Sequence, residues 1–194
     1  MGGELVCRGP VAALDSEHEL AEYRLIEGER AQIRSTTGKL LREYSGFYET
    51  EIPEEDWAVI EGQVLIHYHV NDTAFSKKDL IIAATFNLSE IRVISRSMIF
   101  SMKRRGKIWP DPHTLAKIYD RFEQDSRLVD TVELIGTSRE FQETSWDPEL
   151  DLLKIRTGYI SRQIAKECGL VFHARRLRKV TPSARGYSPG IFGI

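Results

Sequence analysis

Residues 148–180 read PELDLLKIRTGYISRQIAKECGLVFHARRLRKV, and the rest of the chain is organised around this stretch. Leu150, Leu153, Ile155, Ile160, Ile164 and Leu170 recur at the three-to-four-residue spacing of a helix that buries one stripe. Thr157-Gly158 interrupts the run, and a glycine inside a helix costs about 1 kcal/mol against alanine, so the spacing predicts two helices. Ser161 is the expected cap of the second helix, which ends at Cys168 with Gly169 just past it. Val171 to Val180 is expected to form a third, short helix, stopped at Thr181-Pro182 because proline cannot continue it.

Charge gives this stretch a functional edge. From Lys154 to Arg185 there are nine Lys or Arg and one acid, Glu167. The run QIAKECGL followed by ARRLRKV resembles the turn and second helix of a helix-turn-helix unit. That resemblance implies a DNA-binding regulator, with Arg162, Lys166, Arg175, Arg176, Arg178 and Lys179 as the nucleic-acid contacts. Arginines on such a helix would pair with phosphates and read guanine edges in a major groove. The same cations also suit a solvated face that complements its own helix dipole, or a face that meets an acidic protein. Upstream, ISRSMIFSMKRRGKIWPDPHTLAKIYDRF (94–122) is similar to a phage-repressor-type helix-turn-helix. Its basic turn is one residue too long and the helix before Ser95 is too short, so it is read as a strand into a loop, with a helix from about Asp111.

Composition bounds the classes. The chain has 194 residues, 41% apolar and 29% charged, which suits a soluble protein able to bury a core of its own. Net charge is only −2, so no global field points to nucleic acid. The distribution is uneven: Met1 to Glu61 holds fourteen acids and six Lys or Arg, against the basic end. Cys7 and Cys168 are far apart and form no metal-binding pair, which fits a reduced, cytoplasmic setting. No apolar run approaches a membrane span, so no membrane partner is expected.

Taken in order, the first half reads as strands. Tyr23–Ile26, Ala31–Arg34 and Leu40–Tyr44 form a meander with turns at Glu27–Glu29 and Thr37–Lys39, and 46–52 alternates like a half-buried strand. Pro53 followed by acids opens a short helix to about Ile60. Val64–Val70 and Leu80–Phe86 are expected as strands joined by a polar loop at 71–79, and Ile91–Met102 as another. Leu115, Ile118, Tyr119 and Phe122 mark a helix capped by Asp111, and Thr131–Ile135 reads as a strand. The expected fold is α+β: an antiparallel, curved N-terminal β-sheet, barrel-like or half-barrel, packed against C-terminal helices. Its divisions are a β-rich region at 1–110, a helical basic region at 111–185 and an apolar tail at 186–194. Tyr187, Ile191 and Phe192 make that tail a candidate for homo-oligomer contacts.

Few residue patterns suggest chemistry. His67 and His69 form His-x-His on an expected strand, so both imidazoles project from one face and could bind one divalent metal ion, with Asp72 as third ligand. The pattern His67-x-His69-x-x-Asp72 is similar to the first motif of the cupin family. That family has a glutamate further on, and its second motif is missing here. Cys168 has basic neighbours and His173 five residues on, the surroundings of a nucleophile, but its place at the end of an amphipathic helix reads as that of a small core residue. Phosphate-loop, dinucleotide-binding and nucleophile-elbow glycine patterns are absent. The leading expectation is therefore a nucleic-acid-binding regulator without a cofactor, its β-rich half binding a ligand or a second protomer. The alternatives are a small enzyme built on the His-x-His face and a non-catalytic subunit of an assembly.

Overall fold

The computed structural model describes residues 29–46, 52–106 and 108–177. Its strands are β1 (Glu29–Arg34), β2 (Leu40–Gly46), β3 (Val64–Tyr68), β4 (Glu90–Ile94), β5 (Met98–Arg104) and β6 (Leu170–Arg176). The helices are α1 (Trp57–Ile60), preceded by a short 3-10 turn at Glu54–Asp56, α2 (Lys77–Thr85), α3 (Pro112–Glu123), α4 (Ser126–Thr137), α5 (Arg139–Thr144) and α6 (Pro148–Glu167). The strands form one curved mixed sheet in the order β2-β1-β3-β4-β5-β6, packed against helices. The chain is thus α+β, and among the described residues the sheet is open, with β2 and β6 at its ends, and does not close into a barrel.

Neighbouring strands run antiparallel except β3 and β4, which are parallel, with Val64 opposite Glu90 and Tyr68 opposite Ile94. A parallel neighbour cannot be reached by a tight turn; the chain must cross back over one face. Residues 77–85 make that crossing as α2, where the sequence predicts a strand at 80–86. Two features decide for helix over the β-branched pair Ile81-Ile82. Ser76 and Asp79 form a reciprocal capping box, and Leu80, Ala83 and Ala84 fall at helical spacing into the core.

The longest helix also departs from expectation. Residues 148–167 form one uninterrupted helix, so Thr157-Gly158 does not break it and Ser161 lies buried in its interior instead of capping a second helix. Thr157 is accommodated because its hydroxyl donates to the Leu153 carbonyl (3.0 Å) and accepts from the Ala74 amide (3.1 Å). Past α6, Gly169 at φ +65 reverses the chain, a conformation that costs a side-chain-bearing residue more than glycine. The chain then enters a strand, not the third helix expected at 171–180. β6 pairs with β5 over seven residues, from Met98 opposite Arg176 to Arg104 opposite Leu170. Helix would leave the β5 edge unpaired and the Leu170 and Phe172 alternation unused.

Two smaller corrections have similar causes. Thr131–Ile135, expected as a strand, lies inside α4, which Asp125 caps by accepting from the Arg127 amide (2.9 Å) and which buries Leu128. Residues 91–102 divide into β4 and β5 around a tight turn at 95–97. The strands at 31–34, 40–44 and 64–68 and the helix from Pro112 stand where the sequence places them. The core lies between sheet and helices, where Ile33, Leu65, Ile91 and Met102 meet Phe75, Leu80, Leu115 and Ile160, all nearly inaccessible. Each such side chain contributes about 1.5–3 kcal/mol of transfer free energy. A smaller cluster of Val64, Ile66, Tyr68, Ile94 and Leu177 occupies the opposite face. No helix among the described residues is long and apolar enough to cross a membrane.

A continuous α6 makes opposite predictions for two glycines. A Cβ at Gly158 would meet no atom within 4 Å and its φ is negative, so Gly158→Ala should raise Tm by about 2–4 °C, the effect of about 1 kcal/mol of helix propensity in a chain of this size. Gly169→Ala, at positive φ, should lower Tm by a similar amount. Thermal unfolding followed by circular dichroism checks both. A destabilised Gly158→Ala would mean that the helix breaks where the sequence suggests.

Candidate metal centre

β3 delivers His67 to the helix-facing side of the sheet, since Leu65 two residues earlier belongs to the main core while Ile66 and Tyr68 pack on the other face. His69 sits just past the strand, with its amide on the Ile94 carbonyl (2.9 Å), so the two imidazoles come together edge to face with centroids 4.8 Å apart. The third member is Asp79, from the first turn of α2. His67 Nδ1 lies 3.1 Å from Asp79 Oδ1, and His69 Nε2 lies 3.5 Å from Asp79 Oδ2. One ligand atom from each residue can be chosen so that all lie within 4.8 Å of one another.

The cluster is sheltered and held from behind. Side-chain exposure is 18% for His67, 12% for His69 and 6% for Asp79, so the imidazoles are largely enclosed and the carboxylate is buried. The Asp79 Oδ2 atom accepts from both the amide and the hydroxyl of Ser76, each at 2.7 Å. His69 Nδ1 faces the Thr73 hydroxyl (3.0 Å) and carbonyl (3.3 Å), which leaves Nε2 on the Asp79 side. Burial pushes the Asp79 carboxyl up, but hydrogen bonds from His67 and His69 and their charge outweigh it, and the group is held far below the usual carboxylate range. Tyr119 of α3 stands near enough to feel that charge. Burial first, then Glu123 and Asp79, push its hydroxyl up to about 12, so it stays a neutral phenol.

Of the three residues expected from sequence to meet, the structure brings together His67 and His69, with Asp79 beside them in place of Asp72. Asp72 does not meet the histidines. Its Oδ1 accepts from the Ser95 hydroxyl (2.6 Å) and the Ser97 amide (2.8 Å), and its Oδ2 from the Ser97 hydroxyl (2.7 Å), which ties the 69–76 loop to the β4–β5 turn. Asp79 has a sequence signal, the Ser76-x-x-Asp79 capping box, which is hidden when the segment is read as loop and strand.

Of the basic candidates, only Arg162 and Arg176 share a cleft among the described residues. Arg162 and Lys166 are exposed on α6, Arg175 and Arg176 are exposed on the edge strand β6, and Arg178 and Lys179 lie outside the described residues, as do Cys7 and the tail. The segment is helix, turn and strand, so Arg175 and Arg176 sit on no recognition helix. Cys168 is the half-buried C-cap of α6. Burial and neighbouring Glu167 push its thiol up against the opposing charge of Arg121, the reverse of what an activated nucleophile requires.

Asp72 makes a pH-dependent prediction. Burial raises its carboxyl, but the Ser95 and Ser97 hydrogen bonds and the charge of Lys154 bring it below the ordinary value. Its contribution is therefore fully present above about pH 4 and fades as pH falls through the lowered folded value. Asp72→Ala should cost about 1–3 kcal/mol in urea unfolding at neutral pH, with the gap to wild type narrowing in acid. An equal gap across that range would contradict it.

Compared with protein-family models, with curated proteins and with solved structures, the chain matches none, so function is argued from the geometry of this site.

Proposed function

We propose that the protein is a metal-dependent hydrolase whose centre is His67, His69 and Asp79. The observation that carries this is the convergence of two imidazoles and one carboxylate, from β3 and the N-terminus of α2, within 4.8 Å of one another. Neutral imidazole and carboxylate donors suit zinc or a similar first-row ion. Three protein ligands leave a further position for water, the pattern of catalytic zinc as opposed to the closed four-ligand structural site. An ion held there would lower the pKa of bound water towards neutrality and polarise a carbonyl or phosphoryl oxygen.

The surroundings fit that role. Metal-binding histidines commonly rest their other nitrogen on a backbone or side-chain oxygen, as His69 does on Thr73, and ligating carboxylates are themselves hydrogen-bonded, as Asp79 is by Ser76. The place in the fold is also apt, at the carboxyl end of the parallel pair β3–β4, where open sheets with crossover helices collect ligands. The low exposure of all three side chains suits a centre from which most bulk water is excluded.

Metal analysis after dialysis against zinc tests the proposal. Wild type should retain one equivalent, His69→Ala and Asp79→Asn should bind at least about tenfold more weakly, and Asp72→Ala should bind like wild type. Hydrolysis of a panel of ester, peptide and phosphodiester substrates should disappear with chelator and return with zinc. Wild type that takes up no metal, or equal losses in Asp72→Ala and Asp79→Asn, would overturn the metal centre. Zinc uptake without turnover on any of the three substrate classes would overturn the hydrolase.

A second reading, nucleic-acid binding, keeps one specific support: Arg162 and Arg176 line a common cleft, and neither has a carboxylate partner among the described residues. Binding of duplex or single-stranded DNA would then weaken by orders of magnitude between about 50 and 200 mM salt if several phosphates are contacted. The absence of binding at the lower salt would remove this reading.

A further inference from the structure

A cleft of about 670 Å³ opens between α6 and the β5–β6 end of the sheet, beside the 69–76 loop but distinct from the histidine cluster. Its size falls within the range of small-molecule sites, which are mostly apolar with a few placed polar groups. The floor is apolar. Phe100 and Phe172 lie nearly parallel, 15° apart with centroids at 6.4 Å, flanked by Met98 and Leu177. The opposite wall is α6, where Gly158 presents no side chain and leaves the space open.

The polar lining is of one sign once its internal pairs are removed. Among the described residues, Asp72 is the only carboxylate lining the cleft, and its oxygens are already taken by Ser95 and Ser97. Lys154 is held by Asp151 at 2.9 Å. Arg162, from α6, and Arg176, from β6, face the cleft from both sides with no carboxylate partner among the described residues. Two arginines and an aromatic floor lining one cleft suit an anionic head joined to an apolar body.

We propose that this cleft binds an amphipathic anion, a ligand with an apolar chain or ring against Phe100 and Phe172 and a carboxylate or phosphate head on Arg162 and Arg176. Arginine suits either head because its planar fork donates two parallel hydrogen bonds to carboxylate or phosphate oxygens. A purely polar anion would leave the phenyl floor unused, and a neutral apolar molecule would leave both guanidiniums without a partner. The proposal is independent of the metal centre: the cleft shares with it only the 69–76 loop, and occupancy is read without turnover.

The test is a fluorescence titration with anilinonaphthalene sulfonate, itself an amphipathic anion, followed by displacement. Wild type should bind one equivalent, and dodecanoate and dodecyl phosphate should displace it while dodecanol does not; the ratio of their affinities identifies the preferred head. Arg162→Ala/Arg176→Ala should weaken probe and displacers at least about tenfold, the loss expected for a charge-assisted contact, and Arg162→Lys/Arg176→Lys should recover part of it. Gly158→Leu, which fills the cleft from a helix that tolerates leucine, should abolish probe binding with the circular dichroism spectrum unchanged. Failure of wild type to bind, equal displacement by dodecanol, or unchanged affinity in folded arginine variants would overturn the proposal. Displacement by a short oligonucleotide at lower concentration than dodecanoate, lost in the same variants, would overturn it in favour of nucleic acid.

Discussion

The parallel pairing of β3 with β4 is the constraint on which the rest depends. Two parallel strands side by side oblige the chain between them to return across the sheet, and a helix is the economical way to make that return with its backbone hydrogen bonds satisfied. Once α2 forms, its N-terminus lies over the carboxyl end of β3. His67 and His69, which leave the strand there, thus meet the first turn of a helix, where a carboxylate is favoured by the unpaired amides and the dipole. The candidate site results from one choice of strand direction.

Asp79 is where local structure and chemistry meet. It completes the capping box with Ser76 and accepts from His67, so one buried carboxylate both starts the helix and orients an imidazole. A buried charge is costly unless its oxygens are satisfied, and here they are met by the Ser76 amide and hydroxyl and by two histidines. Such an arrangement serves a structural purpose by itself. Beside it, one atom from each of the three residues lies within 4.8 Å of the others, and the two imidazoles keep 12–18% of their side-chain surface exposed.

The 69–76 loop couples this cluster to the cleft beside α6. Thr73 faces His69, Ala74 donates to Thr157 in α6, and Asp72 fastens the loop to the β4–β5 turn and lines the cleft. Polar contacts of three kinds therefore hold a segment that would otherwise be an unsupported polar connection. Asp72 is the instructive case. It is close to the histidines in sequence and so resembles a ligand, yet its carboxylate is consumed by Ser95 and Ser97, which only the turn after β4 can supply.

Sequence by itself determined the α+β class, the strands that alternate cleanly at 31–34, 40–44 and 64–68, the capped helix from Pro112 and the pairing of His67 with His69 on one face. These features depend on periodicity and caps that act within a few residues. Tertiary structure alone decided the rest. Leu80–Phe86 is apolar enough for a strand and became helix because a parallel neighbour demanded a crossover. Arg175 and Arg176 favour helix and became strand because the β5 edge required a partner. Gly158 is a weak interruption overridden by Ile160 and Ile164 in the core and by Thr157 bonded to the Ala74 amide. Asp79 became the third member of the site because the fold brought residues ten and twelve positions apart into hydrogen-bonding range, a proximity set by strand direction and not by spacing along the chain.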